Sequence, residues 1–378
     1  MTTSTAVDER RTTLIRRACA RPDGTSLFES VSAQLRQLVG FDGAGWAGTD
    51  PATLLPSGPV RCENVDVRHD RHSPWHRELL VPDVLLYRSL ARAAQPAGTL
   101  YGFAEGHPAR SPRYREFLQP QGYGDELRAV FRVGGATWGV VSLFRDHGRR
   151  PFSADDLDLV LAVAPVIGTA LRTQALSAPP PAIRAGADGP GTALYDATGQ
   201  LCSWDDQAQR WFLELAGPRW KSEGREQTAM AGVMAVLARA QAIAAGRERA
   251  PAAVRLRAPS GRWLIVHASC LRDSRGKPAH TAVVIEPAKA SQMASIIIVA
   301  YGLTAREQQI TQAVARGLSN VEIANQLHLS AHTVRDHLKA TFAKVGVASR
   351  GELAAKLFAD HYEPQLHARD ADIVHTEF

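Results

Sequence analysis

Residues 302–339 have the sequence GLTAREQQITQAVARGLSNVEIANQLHLSAHTVRDHLK, which specifies a series of short helices in the C-terminal part of the chain. In and just after it, a Ser or Thr is followed three residues later by Glu at Thr304/Glu307, Ser319/Glu322 and Ser349/Glu352. This spacing is the capping box, in which hydroxyl and carboxylate satisfy backbone amides that have no partner at a helix start. Ser330 is a fourth N-cap signal. The pattern predicts helices near 305–316, 320–327, 331–345 and 350–360.

The ends and connections of these helices are also encoded locally. Gly317 and Gly346 stand where the first and third helices should stop. Only His328, Leu329 and Ser330 separate the second helix from the third, which is the tight connection of a helix-turn-helix. Apolar residues are spaced so that three short helices can share one core: Ile310, Val314, Ala324, Leu327, Val334 and Leu338. The segment therefore predicts a small all-α domain of four helices.

This segment resembles the LuxR-type helix-turn-helix family of bacterial regulators. The matching residues are Leu303-Thr-x-Arg-Glu307, Gly317-x-Ser-Asn-x-Glu-Ile-Ala324, Leu329-Ser-x-x-Thr-Val334, His337 and Lys344-x-x-Val-x-x-Arg350. Val345 departs from the leucine that is usual in the family, a conservative change. The resemblance covers residues 302–362 and implies that the third helix enters the major groove, where base edges can be distinguished.

The resemblance implies a set of DNA contacts along the third helix and at the start of the second. Arg335 and Lys339 are four residues apart and therefore share a face of the helix. Arg335 is expected to contact a guanine edge, because a guanidinium can donate two hydrogen bonds to it. Asp336 would accept from a cytosine amine or orient Arg335. The full candidate set is Ser319, Asn320, Ser330, Thr333, Val334, Arg335, Asp336, His337, Lys339 and Lys344, of which Thr333, His337, Lys344 and the amides at Ser319 and Asn320 suit phosphates. The alternatives are a solvated charged face and, for His337, a buried structural role.

The resemblance also implies a dimer through the fourth helix. Its candidate residues are Leu353, Leu357 and Phe358, whose alternative role is packing against the first helix. Residues 301–360 contain seven Lys/Arg and five Asp/Glu, a net charge of only +2. Because this charge provides little attraction to DNA, we expect modest affinity per monomer and a homodimer on double-stranded DNA.

The preceding sequence divides at a linker, residues 177–191, in which three consecutive prolines precede a Gly/Ala/Asp stretch. Within residues 1–176, Ala129–Phe144 predicts two strands that turn at Gly134-Gly135. Ser153 and Asp156 predict the start of a helix with an apolar face formed by Leu157, Val160, Leu161, Ala164 and Ile167. The strand–Gly-Gly–strand segment, Pro-Phe-Ser and the closing helix resemble a GAF domain, an α+β sensor fold.

Residues 192–288 resemble a PAS domain, also α+β. Ala193–Leu201 predicts two strands joined at an Asp-x-x-Gly turn, and a short helix follows from Asp205 or Asp206 to Leu215. Arg262–Cys270 and His280–Glu286 predict a hairpin. Residues 289–301 predict a helix, most clearly at Gln292–Ala300, that connects to the helix-turn-helix, and 363–378 form a tail. The fold class is thus multidomain: α+β GAF-like, α+β PAS-like and all-α.

Composition favours an ordinary globular protein, with 45% hydrophobic and 22% charged residues and a net charge of +6. The N-terminus lacks the apolar core of a secretory signal, and the longest apolar run, Leu157–Leu171, is too short to span a bilayer. The four cysteines are dispersed, which argues against a disulfide framework. We expect a cytoplasmic protein without membrane contact, metal or cofactor.

Three local patterns resemble functional sites, but each has a simpler interpretation. Gly43–Gly48 matches G-x-G-x-x-G, but a predicted helix precedes it, so a glycine-rich strand is the better interpretation. His69, His72 and His76 could bind a metal, although Pro74 interrupts a helix there. Cys62 or Cys202 could sense redox state, but nothing nearby predicts a lowered pKa.

These observations favour a DNA-binding transcription regulator whose N-terminal domains sense a small-molecule ligand or another signal. RNA polymerase is a candidate partner. The alternative is a sensor or scaffold that acts mainly through protein–protein contacts. We do not expect an enzyme, because no nucleophile or acid/base set is recognisable, although such a set can be assembled in space.

Overall fold

The computed structural model describes residues 13, 15, 16, 27–67, 74–176, 189–217, 230–288, 292 and 300–354. It contains two five-stranded antiparallel sheets and a helical C-terminal unit. The predicted succession of two α+β parts and one all-α part is confirmed at this level. Residues 177–188, most of the predicted connecting helix and the tail lie outside the described residues, as do His69 and His72.

The first domain spans residues 27–176. Its elements are α1 (Leu27–Val39), β1 (Gly43–Thr49), β2 (Pro56–Glu63), α2 (Pro74–Leu80), α3 (Tyr87–Leu90), β3 (Ala97–Thr99), α4 (Leu100–Phe103), β4 (Tyr123–Val133), β5 (Ala136–Asp146) and α5 (Ala154–Leu176). Short 3-10 and π turns fill Pro108–Gln121. The sheet order is β2-β1-β5-β4-β3.

Helices α1 and α5 cover one face of this sheet. Trp46 stacks between Phe28 and Phe131, with ring centroids 5.5 and 6.1 Å apart. Gly168 lets α5 approach closely, because a Cβ there would lie 2.8 Å from Val133 Cγ2. The buried apolar side chains of α5 belong to Leu159, Val160, Val163, Ala164, Ile167 and Leu171, whereas Leu157 and Leu161 are only half-buried. The predicted apolar face is therefore rotated slightly.

Several local predictions in this domain are confirmed. The hairpin turns at Gly134 and Gly135, which both have positive φ, although β4 begins at Tyr123 rather than at Ala129. Asp156 Oδ2 accepts from Ser153 N at 2.8 Å, and Asp156 N donates to Ser153 Oγ at 3.2 Å, which closes the predicted capping box. Gly43–Thr49 forms a strand.

The second domain spans residues 189–288. Its elements are β6 (Gly191–Asp196), β7 (Leu201–Trp204), α6 (Asp206–Ala216), α7 (Ala231–Ala244), β8 (Ala253–Arg257), β9 (Trp263–Arg272) and β10 (Pro278–Pro287). The sheet order is β7-β6-β10-β9-β8. In both sheets the second strand of the domain lies at one edge and is followed by the first, fifth, fourth and third, so the two domains share one strand order. The predicted hairpins and α6 are confirmed, while α7 and β8 were not predicted.

The two sheets meet at a buried junction. Helix α7 packs against β9 of its own domain and α2 of the first domain, and most of its residues are buried. Asp50, fully buried, accepts from Arg255 Nη2 at 2.6 Å and from Arg255 Nε at 2.8 Å. Arg255 Nη1 also donates to the carbonyl of Gln292, at the start of the segment that leads to the C-terminal unit.

The C-terminal unit consists of α8 (Ala305–Ala315), α9 (Asn320–Leu327), α10 (Ala331–Val345) and helical residues 350–354. The predicted bounds agree to within one residue where the chain is described. No helix in the described ranges is both long and apolar enough to cross a membrane.

Candidate nucleic-acid interface

The helix starts of the C-terminal unit are fixed by side-chain caps. Thr304 and Ser319 each accept from the amide of the Glu three residues later, at 3.3 Å, and each Glu accepts from the cap amide at 2.7 Å. Ser330 Oγ accepts from Thr333 N at 3.0 Å. The third predicted box differs slightly, because the Glu352 carboxylate accepts from Ala348 N rather than from the amide of Ser349.

The connection between α9 and α10 has the predicted three residues. His328 takes a left-handed conformation (φ 53°), and Leu329 N donates to Ala324 O at 2.9 Å, which ends α9. Gly346, with φ 70°, ends α10 in the same way. Two short helices are thereby held at a fixed angle.

A compact apolar core stabilises the arrangement of α9 and α10. Ile310, Val314, Ala324, Val334 and Leu338 are buried as predicted, and Leu327 is half-buried. The other buried members are Leu303, Ala313, Ile323, Val345 and Leu353. The core spans all four helices, so the exposed face of α10 is presented by a rigid support.

The exposed face of α10 carries two unengaged cations. Arg335 and Lys339 are both exposed, and within the described part of the chain neither makes a hydrogen bond or an ion pair. Asp336 is 57% exposed and its Oδ2 lies 3.5 Å from His332 Nε2, one turn earlier. A long, free guanidinium beside a carboxylate suits the donor and acceptor pattern of the major groove.

The other candidate DNA contacts lie on α10 and at the N-termini of α9 and α10. The hydroxyls of Ser330 and Thr333 are 2.8 Å apart at the N-terminus of α10. His337 is half-buried, so neither of its two predicted roles is favoured. The start of α9, at Ser319 and Asn320, is partly engaged: Ser319 N donates to Glu322, and Asn320 Oδ1 accepts from Arg350 Nη1 at 3.2 Å.

Lys344 has a partner inside the domain. Its Nζ lies 2.7 Å from Glu307 Oε2, the same oxygen that accepts from Thr304 N. Burial raises the pKa of Glu307, but the hydrogen bonds from Lys344 and Thr304 outweigh it and hold the pKa below its usual value. The ammonium thus ties the end of α10 to the start of α8.

Two sequence-based assignments need correction. Val334 has no exposed surface, so its side chain stabilises the core and cannot contact a base. Leu353, proposed for dimerisation, is also fully buried within its own domain and takes the alternative packing role. Leu357 and Phe358 lie outside the described residues.

The first domain contains a cluster of buried polar side chains that was not predicted from the sequence. Glu126 and Arg128 project from β4 and are almost completely buried. Glu126 accepts from Arg113 Nε at 3.0 Å and from Ser142 Oγ at 2.7 Å, while Arg128 donates to Glu78 at 3.2 Å. Burial raises the pKa of Glu126, but Arg113 and Arg128 outweigh it and lower the pKa. Alternating charges on a strand normally indicate a solvent face, so the sequence contained no usable signal.

Comparison with known proteins places the C-terminal unit in a family. Residues 302–357 match the model described as bacterial regulatory proteins, luxR family. The Monoamine regulon transcriptional regulator of Klebsiella aerogenes is 42% identical over 65 residues, 17% of this chain and 29% of that protein. The uncharacterised transcriptional regulatory protein YhcZ of Bacillus subtilis is 44% identical over 62 residues, 16% of this chain and 28% of that protein. The chain thus spans less than a third of the length of these relatives.

Whole-chain similarity to solved structures is weak. A structure of Escherichia coli SdiA covers 93% of this chain and 97% of its own, with 12% identity and a TM-score of 0.32. The Vibrio cholerae VqmA dimer covers 46% of this chain and 82% of its own, with 19% identity and a TM-score of 0.21. The family assignment therefore rests on the C-terminal residues: the C-terminal unit, matched over residues 302–357, is a LuxR-type helix-turn-helix domain.

Proposed function

We propose that the protein is a sequence-specific, DNA-binding transcription regulator controlled by its two α+β domains. The observation that carries this proposal is the exposed pair Arg335 and Lys339, free of partners in the described residues, on the capped third helix of a LuxR-type domain. The curated relatives that match this domain bear the names of transcription regulators.

Helix α10 would enter the major groove and divide its contacts between bases and backbone. Arg335 would donate two hydrogen bonds to a guanine edge, and Asp336 would orient it or accept from cytosine. Lys339, Thr333 and His337 would contact phosphates, together with Ser330 and amides at the start of α9. The contribution of Lys344 is the internal ion pair with Glu307.

The two α+β domains would receive the signal. We propose that the first is GAF-like and the second PAS-like, an assignment supported by their shared strand order and by the helices that cover one face of the first sheet. At their junction, Arg255 pairs with Asp50 and also donates to the carbonyl of Gln292, and we propose that a change at the junction is passed along the chain from Gln292 to the C-terminal unit.

A homodimer would double the few charges that one unit offers to DNA. The remaining candidates for its surface are Leu357 and Phe358, and two-fold symmetry predicts paired half-sites in the operator. Light scattering of the full chain and of a Leu357→Asp variant would test this, because a charged side chain in an apolar interface should yield a monomer.

The decisive experiment is selection of genomic fragments by the 378-residue chain at about 0.15 M salt, where non-specific binding is partly suppressed. We expect enrichment of a paired motif that the Arg335→Ala/Lys339→Ala variant loses. The matched control is Arg275→Ala/Lys277→Ala, which removes the same two charges from an exposed turn of the second domain and should keep the motif.

The competing function is a scaffold that acts through protein–protein contacts. Enrichment that survives the Arg335/Lys339 double substitution would contradict base reading by α10. If the wild-type chain enriches no motif and its bound fragments match those of the double variant, the scaffold becomes the better description.

A further inference from the structure

The first domain contains a cavity of about 120 Å³ on the sheet face opposite α1 and α5. Its floor includes Gly45, Ala47 and Val140, and Trp75 of α2 and Phe117 stand at its walls. Ala231 and Met234 of α7 also line it, so part of the enclosure comes from the second domain. The cavity is therefore shared between the two domains.

One end of this cavity is polar. Tyr87, Ser142 and Glu126 line it, and the Tyr87 hydroxyl lies 2.8 Å from Ser142 Oγ. Arg128, also in the lining, stacks over the Tyr87 ring at 3.6 Å. Buried ion pairs contribute little net stability, so a network at the end of an apolar cavity needs another explanation. Fixed polar groups in an apolar pocket orient a ligand.

The charges of this network are compensated internally. Glu126 is paired with Arg113 and Arg128, and Arg128 also with Glu78. Arg77 is paired with Glu116 at 2.7 Å. Each charged side chain of the lining thus already has an ion-pair partner, so a charged ligand would meet no uncommitted opposite charge, and burying an uncompensated charge is costly. A neutral group that donates and accepts hydrogen bonds meets no such penalty.

The size of the cavity sets the size of the ligand. An apolar cavity of roughly 150 Å³ engineered into another protein binds benzene. At about 120 Å³, this cavity accommodates one small ring or an aliphatic group of similar volume.

We propose that the cavity is the ligand site of the first domain and binds a neutral molecule with one small apolar ring and a hydroxyl-type polar group. The ring lies against Trp75, Phe117 and the side chains of α7, and the polar group lies at Ser142 and Tyr87. Because α7 closes part of the cavity, the ligand also stabilises the junction between the two domains. This inference rests on the proposed function, since it names the class of signal that controls DNA binding.

Gly45 offers a sharp test of this site. A Cβ at Gly45 meets no atom within 4 Å, so a larger side chain there enters the cavity without a backbone clash. Gly45→Leu should fill the space that the ligand needs. The matched control is Gly148→Leu, the same substitution at an exposed position where a Cβ also meets nothing. Met234→Trp fills the cavity from the second domain.

The experiment measures calorimetric binding and thermal denaturation of the full chain with phenol, benzoate and benzylammonium as probes. We expect phenol to bind and raise the Tm of the wild type and of Gly148→Leu. Gly45→Leu and Met234→Trp should each lose phenol binding while unfolding cooperatively. Benzoate and benzylammonium should bind roughly ten-fold or more weakly, because their charge is uncompensated.

Absence of phenol binding to the wild type, or equal binding to Gly45→Leu, would overturn the proposal. Preferred binding of benzoate or benzylammonium would overturn the assignment of a neutral ligand. Specific DNA binding is measured on the same proteins without any probe, so loss of the ligand site and failure of the regulator function give different results.

Discussion

Replacement of Lys344 by Met separates a structural role from a DNA contact. The sequence places Lys344 among the phosphate contacts, but in the structure its Nζ lies 2.7 Å from Glu307 Oε2. Methionine keeps most of the aliphatic stem and removes the ammonium. The Glu307 carboxylate, with only 5% of its side chain exposed, would then keep the amide of Thr304 but lose its cation.

The expected cost follows from this geometry. A hydrogen bond between charged groups contributes about 1.5–3 kcal/mol, and solvent competition at the 37% exposed Lys344 reduces this to about 1–2 kcal/mol. For a domain of this size, each kcal/mol corresponds to a fall in Tm of about 4–8 °C. Because the pKa of Glu307 is held below its usual value, this stabilisation is present above the unfolded pKa and is lost as the pH falls through the folded one.

The assay combines thermal denaturation of the full chain with the salt dependence of binding to a random-sequence duplex. Lys344→Met should lower the Tm of the C-terminal unit and leave the slope of log K against log salt unchanged. The control Lys339→Met, at an exposed lysine free of described partners, should reduce the steepness of that slope by about 0.9 and leave the Tm unchanged. A reduced slope with unchanged Tm for Lys344→Met would refute the structural role.

Arg335→Ala should relax base preference at one operator position at a cost of about 1–3 kcal/mol, whereas Lys339→Ala should weaken binding to all sequences alike; a randomised-site selection distinguishes them. Ser319→Ala removes the cap of α9 and should destabilise the C-terminal unit by about 1 kcal/mol in denaturant titrations, and an unchanged midpoint would argue against the capping box. Burial raises the pKa of Asp125 to about 6, so its contribution to the stability of the first domain should fall as the pH rises from about 4 to 6, by up to roughly 1.4 kcal/mol per unit. The free-energy difference between wild type and Asp125→Asn, measured at a series of pH values, checks this slope; a difference independent of pH would contradict it.

The C-terminal unit was predictable from local sequence in nearly complete form. Its caps connect Thr304 with Glu307 and Ser319 with Glu322, and its turn is three residues long. All these interactions join residues three or four positions apart. The hairpin at Gly134-Gly135 was predictable for the same reason, since a turn type depends on the conformations that its own residues allow.

Whether an individual side chain of the C-terminal unit is buried, exposed or ion-paired depends on residues that are distant in sequence. Arg335 and Val334 are neighbours in sequence, yet one is exposed and the other has no exposed surface. The apolar spacing predicted a buried Val334, but the family resemblance placed it among the DNA contacts as well. Lys344 meets a carboxylate 37 residues away, and no local pattern shows that this charge is already engaged.

The interior of the first domain and its junction with the second depend on long-range packing that no local pattern predicts. Glu126 and Arg128 alternate along β4 as a solvent-facing pair would, but α2 and the turns that follow it cover them and close a cavity. Asp50 and Arg255 pair across 205 positions of sequence. Helix caps and turns are specified by the few residues that form them. The burial of a charge depends instead on which distant segment packs over it, and that is set by the free energy of the whole fold.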